Sequence, residues 1–325
     1  MPTIKELSIG VFAALLLSFS LLNISAQVPK RIKTIIIDAG HGGADIGAHG
    51  TYEGTLGSQE KNITLAISLK LVAELKKQMP GVKVIPTRTT DVFDNVNKKA
   101  QIANENHGDL FVCIHADAVN LKTGSRIIGH KMETYTTTKY IGKGRHKKKI
   151  VTPHQREVPI REYFKIPTTR KGTSTWIFAA HKTNDKIRAM ENNNDMIVNA
   201  DENDSSLNIN YDSPEWKANA LLYTQNYFKK SYKLASDIQE EIAGIGREDL
   251  GIHQRQVGIR VLSATQMPAV LVETGFVENP EDERYLNSEK GQQQIAEIIT
   301  KALIKYKDQV ENPKTVITPD SNSSK

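Results

Sequence analysis

The chain has 325 residues, of which 38% are hydrophobic and 25% are charged, and its formal net charge is +6 at pH 7. This composition is typical of a globular protein that can bury a core, in one sizeable domain or two small ones. The single cysteine, Cys113, excludes an intrachain disulfide. The positive charge suits an anionic partner such as nucleic acid, an acidic membrane or an acidic wall polymer.

The first 26 residues have the pattern of a secretory signal peptide. A short charged segment around Lys5 precedes an apolar stretch from Ile9 to Leu22, and small residues lead to a cleavage point near Ala26. An uncleaved membrane anchor is the alternative, but this stretch is shorter than the roughly 20 residues that span a bilayer. We therefore expect an exported protein with no stable membrane anchor after cleavage and with no nucleic acid as partner.

Short apolar segments bounded by Gly or Pro predict buried strands. In chain order they cover residues 33–39, 81–88, 109–116 and 268–275. Apolar residues at helical spacing predict helices over 60–78, 95–109, 231–244 and 291–307. Because strands alternate with helices, the sequence predicts an α/β sheet.

Residues from about 121 to 222 interrupt this alternation, and we interpret them as an insertion within one domain that covers 27–310. The insertion contains the basic run KGRHKKK, 143–149, which is either a solvated loop or a contact for a wall polymer. Residues 311–325 are rich in Pro, Thr, Ser and Asn, so we expect a disordered tail.

Histidines follow two of the predicted strands. His41 lies in AGHGG directly after the first strand, and His115 stands at the exit of the strand over 109–116. Open α/β sheets place their ligand sites at the carboxyl ends of their strands. Either histidine alone would more often be structural, but the two together indicate a site.

A catalytic zinc has three protein ligands and an open position, and two His with one Glu is a known set. Glu60, in the first turn of the helix after the His41 loop, is the best-placed acid, although it could instead complement the helix dipole. Hydrolysis also needs a group that moves protons. Glu273, at the exit of the strand over 268–275, offers that group, and its alternative is a buried or cap-forming acid.

The segments IIIDAGHGG, EKNITLAI, TRTTD, IANENHGDLFVCIHADA and PAVLVETGFVENPEDERYL together resemble the zinc-dependent N-acetylmuramoyl-L-alanine amidases of the cell-division type. The resemblance implies one α/β domain with a mixed, roughly six-stranded sheet flanked by helices. It implies one zinc per chain on His41, Glu60 and His115, with Glu273 as catalytic acid/base. The implied reaction cleaves the amide between the lactyl group of N-acetylmuramic acid and L-alanine of peptidoglycan stem peptides. The implied setting is the periplasm, in cell-wall remodelling and daughter-cell separation.

The resemblance also implies autoinhibition, because division-type members carry an insertion whose helix occludes the zinc until an activator of the division machinery binds. Residues 172–196 and 214–236 resemble parts of that insertion. Glu191 is the candidate for the capping ligand, with Glu202 second, and the alternative for Glu191 is a helix-end acid without a metal contact. Arg88 in TRTTD could bind a carboxylate of the peptide or serve in packing at the entry of a helix.

Two other functions remain open at this stage. A zinc peptidase that acts on wall peptides would use the same metal and base. A wall-binding protein that has lost catalysis is the second alternative, but it leaves the presence of three ligands and the base unexplained.

Overall fold

A computed structural model of the chain describes residues 31–179, 183–191, 211–255 and 260–313. The predicted signal peptide and residues 314–325 of the predicted tail lie outside this range. Residues Ile32–Tyr306 form one compact unit. Of a second unit, the structure describes Arg31 and residues 307–313, which are the end of the last helix and the two residues that follow it. Among the helices within the described ranges, none has the length and apolarity needed to cross a membrane.

The described residues form eight strands. They are β1 (Thr34–Ala39), β2 (Lys83–Pro86), β3 (Leu110–Asp117), β4 (Thr123–Ile141), β5 (Lys148–Lys165), β6 (Thr173–Phe178), β7 (Asp249–Arg255) and β8 (Ala269–Phe276). Six of them form the central sheet in the order β2-β1-β3-β8-β6-β7. The first four in this order are parallel, and β6 joins β8 antiparallel, so the sheet is mixed as the resemblance implied.

Seven α-helices lie within the described ranges. They are α1 (Glu60–Gln78), α2 (Val96–Glu105), α3 (Thr183–Glu191), α4 (Pro214–Gly244), α5 (Arg260–Ala264), α6 (Pro280–Asn287) and α7 (Glu289–Glu311). The predicted apolar face of α1 is buried: Ile63, Ile67, Leu71 and Leu75 are at most 1% exposed. Burial of such a face against the sheet stabilises the helix by about 1.5–3 kcal/mol for each large side chain.

The four predicted strands are confirmed, but β6 and β7 were not predicted. The strand β6 lies inside the stretch 121–222 that we interpreted as an insertion, so the sheet takes one strand from within that stretch. Three of its six residues carry hydroxyl groups, and the fully buried Thr173 donates its hydroxyl hydrogen bond to Thr274 O. The end of the stretch at 222 also falls within α4, a continuous helix of 31 residues.

Strands β4 and β5 form a separate two-stranded antiparallel hairpin. Their register runs from Thr123↔Lys165 to Ile141↔Lys148, with an irregularity between Ile127 and Gly129. A 3-10 turn over Gly144–His146 closes the hairpin, and every residue of the basic run 143–149 is exposed. The run is therefore open to solvent, and this exposure is compatible with both of its predicted interpretations.

Candidate metal and catalytic site

Three parallel strands bring the predicted site residues to one edge of the sheet. The chain leaves β1 through Gly40 to His41, while His115 and Glu273 are register partners near the ends of β3 and β8. Partners in register on neighbouring strands project to the same face of a sheet, so His115 and Glu273 lie side by side.

The cluster consists of His41, Glu60 and His115, whose ligand atoms all lie within 4.8 Å of one another. His41 Nε2 is 3.1 Å from Glu60 Oε2, and His115 Nδ1 is 2.8 Å from Glu60 Oε1. The two imidazole rings meet edge to face, with centroids 4.8 Å apart. Two imidazoles and one carboxylate match the donor set of a catalytic zinc.

Glu60 is 4% exposed and is held by the backbone on both oxygens. Ala48 N donates to Oε2 at 2.8 Å, and Ala116 N donates to Oε1 at 3.0 Å. Burial by itself raises the pKa of this carboxyl, but the hydrogen bonds and charges of His115 and His41 outweigh burial and hold the pKa well below its usual range. The carboxylate is therefore charged and fixed, as a metal ligand must be.

Asp45 orients His41 and was missed by the sequence analysis. His41 Nδ1 lies 2.9 Å from Asp45 Oδ2, which leaves Nε2 toward Glu60. Burial lowers the pKa of His41, but the bonds and charges of Glu60 and Asp45 raise it overall. His41 also has φ 58°, a left-handed conformation that costs energy in a non-glycine residue and is concentrated at functional sites. A metal-bound histidine usually has one ring nitrogen on a carboxylate or carbonyl and directs the other toward the metal, and His41 directs Nε2 into the cluster.

Two glycines leave room for these ligands. A Cβ on Gly40 would lie 2.6 Å from His115 Nε2, and a Cβ on Gly47 would lie 2.5 Å from Glu60 Oε2. Gly47 also has φ +66°, which favours glycine. The absence of side chains at these positions therefore permits His115 and Glu60 to approach the backbone.

We expect Gly40→Ala to weaken zinc binding by roughly 10- to 100-fold, because the added methyl group displaces the His115 ring. Gly81→Ala is the matched control, since no atom lies within 4 Å of a Cβ there. Zinc affinity measured by competition with a fluorescent chelator checks this. Equal affinities for the two folded variants would show that the Gly40 contact does not position the ligand.

A buried polar network centred on Asp38 lies beside the cluster. Asp38 accepts hydrogen bonds from Thr87 Oγ1 at 2.6 Å and Cys113 Sγ at 2.8 Å, and Lys99 Nζ is 3.0 Å away. Burial raises the pKa of Asp38, but Lys99, Cys113 and Thr87 lower it overall. Lys99 Nζ also donates to Ala39 O at 2.6 Å, so the network supports the backbone before His41.

Arg88 supports this backbone too. Its side chain is 4% exposed and does not line the cavity described below. Arg88 Nε donates to Ala39 O at 3.1 Å, and Nη2 donates to Gly40 O at 2.9 Å and Lys61 O at 2.8 Å. These bonds favour the packing role, which the sequence analysis had left open.

Cys113 is also buried. Burial is the main cause of its raised pKa, and Cys113 is not part of the metal cluster.

A cavity of about 550 Å³ opens over the cluster. Its lining includes the three residues of the cluster, the 5%-exposed Glu273 and apolar side chains of Phe93, Val96, Val261 and Leu271. None of the described residues of α3 or α4 lines it. Glu191, the last residue of α3, is half-buried and is not part of the metal cluster, so the structure does not place it as a capping ligand. Glu202 lies outside the described residues.

Comparison with known proteins decides the family. A family model described as N-acetylmuramoyl-L-alanine amidase matches residues 35–305. The chain belongs to this family. The amidase activity that the sequence predicted, and with it a substrate in the cell wall, is thereby confirmed.

Relatives and solved structures of other amidases agree with this assignment. N-acetylmuramoyl-L-alanine amidase AmiA of Salmonella typhimurium is 27% identical over 298 residues, which are 88% of this chain and 82% of the relative. AmiC of Escherichia coli is 27% identical across 84% of this chain but only 52% of its own length. The crystal structure of an amidase from Clostridium difficile has a TM-score of 0.52 at 22% identity, covering 86% of this chain and 98% of that one. The amidase fold is therefore shared by this chain.

Proposed function

We propose that this amidase is an exported zinc hydrolase that separates the stem peptide from the glycan of peptidoglycan. The observation that carries the proposal is the convergence of His41, Glu60 and His115 within 4.8 Å, in one cavity with Glu273. The proposed bond is the amide between the lactyl group of N-acetylmuramic acid and L-alanine.

His41, Glu60 and His115 are the residues that would hold zinc. The fit rests on the donor types, on the fixed and charged Glu60 carboxylate, and on the Asp45 bond that directs His41 Nε2 into the cluster. When bound, zinc would supply Lewis-acid activation of water and of the scissile carbonyl. The cavity gives substrate access to this edge, because the side chains of His41 and His115 are each about a fifth exposed, at 23% and 20%.

Glu273 is the residue that we assign to proton transfer. Its carboxylate would accept a proton from the attacking water and then donate that proton to the amide nitrogen as the C–N bond breaks, so that the product amine leaves neutral. This assignment is supported by the register of the sheet, in which Glu273 is the partner of His115. Apolar side chains of Val261 and Leu271 line the same cavity as this carboxylate.

Product analysis separates an amidase from a zinc peptidase. We expect purified residues 27–325 to release intact stem peptides that begin with L-alanine from peptidoglycan, as measured by mass spectrometry. Products cut within the stem peptide would instead support the peptidase. No metal-dependent product would support a wall-binding protein.

Export to the periplasm and a role in daughter-cell separation are also part of the proposal. Export rests on the signal-peptide pattern over residues 1–26. A solved structure shows the CwlD amidase from Clostridioides difficile in complex with the GerS lipoprotein, which supports a protein partner for this amidase as well. We assign that partner to the division machinery by the resemblance to division-type enzymes.

Autoinhibition completes the proposal. The helices α3 and α4 do not line the cavity, and residues 192–210 between them lie outside the described residues. We assign the occluding element to residues 192–210, which include Glu202, by the resemblance to division-type enzymes. This segment contains the polar run NNNDMIVNADENDSS. An activator would act by removing it from the metal.

A further inference from the structure

The hairpin of β4 and β5 carries the positive charge of the chain. Residues 122–165 contain 12 Lys and Arg against 3 Asp and Glu, an excess of nine positive charges. The whole chain has an excess of only six, so the remaining residues are net negative by three. Charge of this kind, concentrated on one element, attracts an anionic partner to that element.

The charge is also uneven along the hairpin. Near its base, Glu162 pairs with Arg126 at 2.7 Å, and further out Glu133 pairs with Arg156 at 2.7 Å. Beyond these pairs, residues 134–155 contain no Asp or Glu. They contain six cations: Lys139, Lys143, Arg145, Lys147, Lys148 and Lys149. Within the described part of the chain, none of these six forms an ion pair with a carboxylate, so residues 139–151, at the end of the hairpin, form a cationic tip.

The cationic tip also exposes large apolar side chains. Tyr140, Ile141, Ile150 and Val151 are 57%, 51%, 38% and 49% exposed. Across the hairpin, Tyr140 is paired with Lys149 and Ile141 with Lys148. Apolar side chains in such a cluster, with lysines directly opposite, are disfavoured in water and mark a contact surface.

The two strands of the hairpin contact mainly each other and not the central sheet. The contact of the hairpin with the loop before α1 is the ion pair of Arg126 with Glu53 at 3.0 Å, at the base. At about 3.3 Å per residue, a strand the length of β4 spans roughly 60 Å. The tip can therefore touch a surface while the cavity stays at a distance from it.

An anionic bilayer matches both properties of the tip. Lysines near an acidic lipid surface each contribute attraction, and tyrosine and aliphatic side chains gain by entering the boundary between headgroups and acyl chains. A soluble or wall-bound polyanion would account for the cations but would leave the isoleucines and Val151 in water. We infer that the tip, residues 139–151, binds the surface of an anionic phospholipid membrane reversibly. This inference does not depend on the amidase mechanism.

Vesicle co-sedimentation tests the inference on residues 27–325, which retain the compact unit Ile32–Tyr306 and lack the apolar N-terminal stretch. The probe is vesicles of equal parts phosphatidylglycerol and phosphatidylcholine, compared with vesicles of phosphatidylcholine alone. We expect binding only to the anionic vesicles, and we expect added salt to weaken it.

Three variants separate charge from apolar contact. The triple variant Lys147→Gln, Lys148→Gln and Lys149→Gln should bind anionic vesicles roughly 100-fold more weakly. The double variant Ile141→Ser and Ile150→Ser keeps every charge and should bind roughly tenfold more weakly. The matched control replaces the exposed residues Lys76, Lys77 and Lys301 with Gln, which removes the same charge elsewhere, and it should bind at least tenfold more tightly than the triple tip variant.

Several results would overturn the inference. Failure of the wild-type chain to bind anionic vesicles would do so, as would equal losses in the triple tip variant and its control. If the isoleucine variant bound like wild type, the tip would be recognising charge alone. Binding to purified peptidoglycan that is lost in the triple tip variant, without binding to vesicles, would assign the tip to the wall polymer instead.

Discussion

Glu273→Gln should keep its bound zinc and lose about 10²-fold or more in turnover. The amide has the shape of the carboxylate and fits the same cavity, but it cannot accept a proton from water and return it to the leaving nitrogen. Because Glu273 is not among the cluster of ligands, metal content should be unchanged. Peptidoglycan hydrolysis and zinc analysis on the same preparation check both parts.

Glu281→Gln is the matched control for this variant. Glu281 lies eight positions later and pairs with Lys171 on the surface, where its side chain is 66% exposed. It should keep wild-type turnover. A Glu273→Gln enzyme with near wild-type rate and intact zinc would remove Glu273 from the mechanism.

Replacing residues 192–210 with a flexible Gly-Ser linker should raise the activity of the isolated enzyme. If an element of this segment occludes the metal with a preference of ~2.8 kcal/mol, about one molecule in a hundred is open, so a gain of up to about 100-fold is expected. The replacement must spare α3 and α4. Lys186 of α3 is fully buried and donates from Nζ to Leu262 O at 2.8 Å, and Trp216 of α4 belongs to the core.

Glu191→Ala is the comparison for the linker variant. Because Glu191 is not part of the metal cluster, its replacement should leave activity unchanged. Hydrolysis of purified peptidoglycan without added partner measures both variants. If the linker variant, folded and with full zinc content, were no more active than wild type, the insertion would serve another purpose.

The site could be predicted from sequence where its residues follow apolar strands. His41, His115 and Glu273 each follow or end a buried strand whose continuous apolar composition is visible in the sequence, and the parallel strands carry them to one edge of the sheet. Asp45 and Lys99 could not be found in this way. Asp45 lies in a loop whose path depends on His41 with φ 58°, and Lys99 is a charged residue that becomes buried only because Asp38 faces it.

Strands were harder to predict from the sequence where they consist of polar residues. Thr173 and Thr175 are fully buried in β6, and a hydrogen bond to Thr274 O satisfies the Thr173 hydroxyl, so hydropathy does not reveal this strand. The β4–β5 hairpin has hardly any buried side, and its sequence therefore lacks the alternation that identifies a half-buried strand. Arg88 was ambiguous for a different reason. Its charge and its position near the site suggested substrate binding, but its guanidinium donates hydrogen bonds to backbone oxygens of the protein.

Zinc titration of the metal-stripped protein tests the central claim most directly. Zinc bound by residues 27–325 and amidase activity on peptidoglycan would be measured together as zinc is added back, beside a His115→Ala variant. We expect activity to return in proportion to bound zinc and to saturate at one zinc per chain, while His115→Ala binds little zinc and stays inactive. Full activity of the stripped protein, or stoichiometric zinc in His115→Ala under a competing chelator, would contradict this expectation.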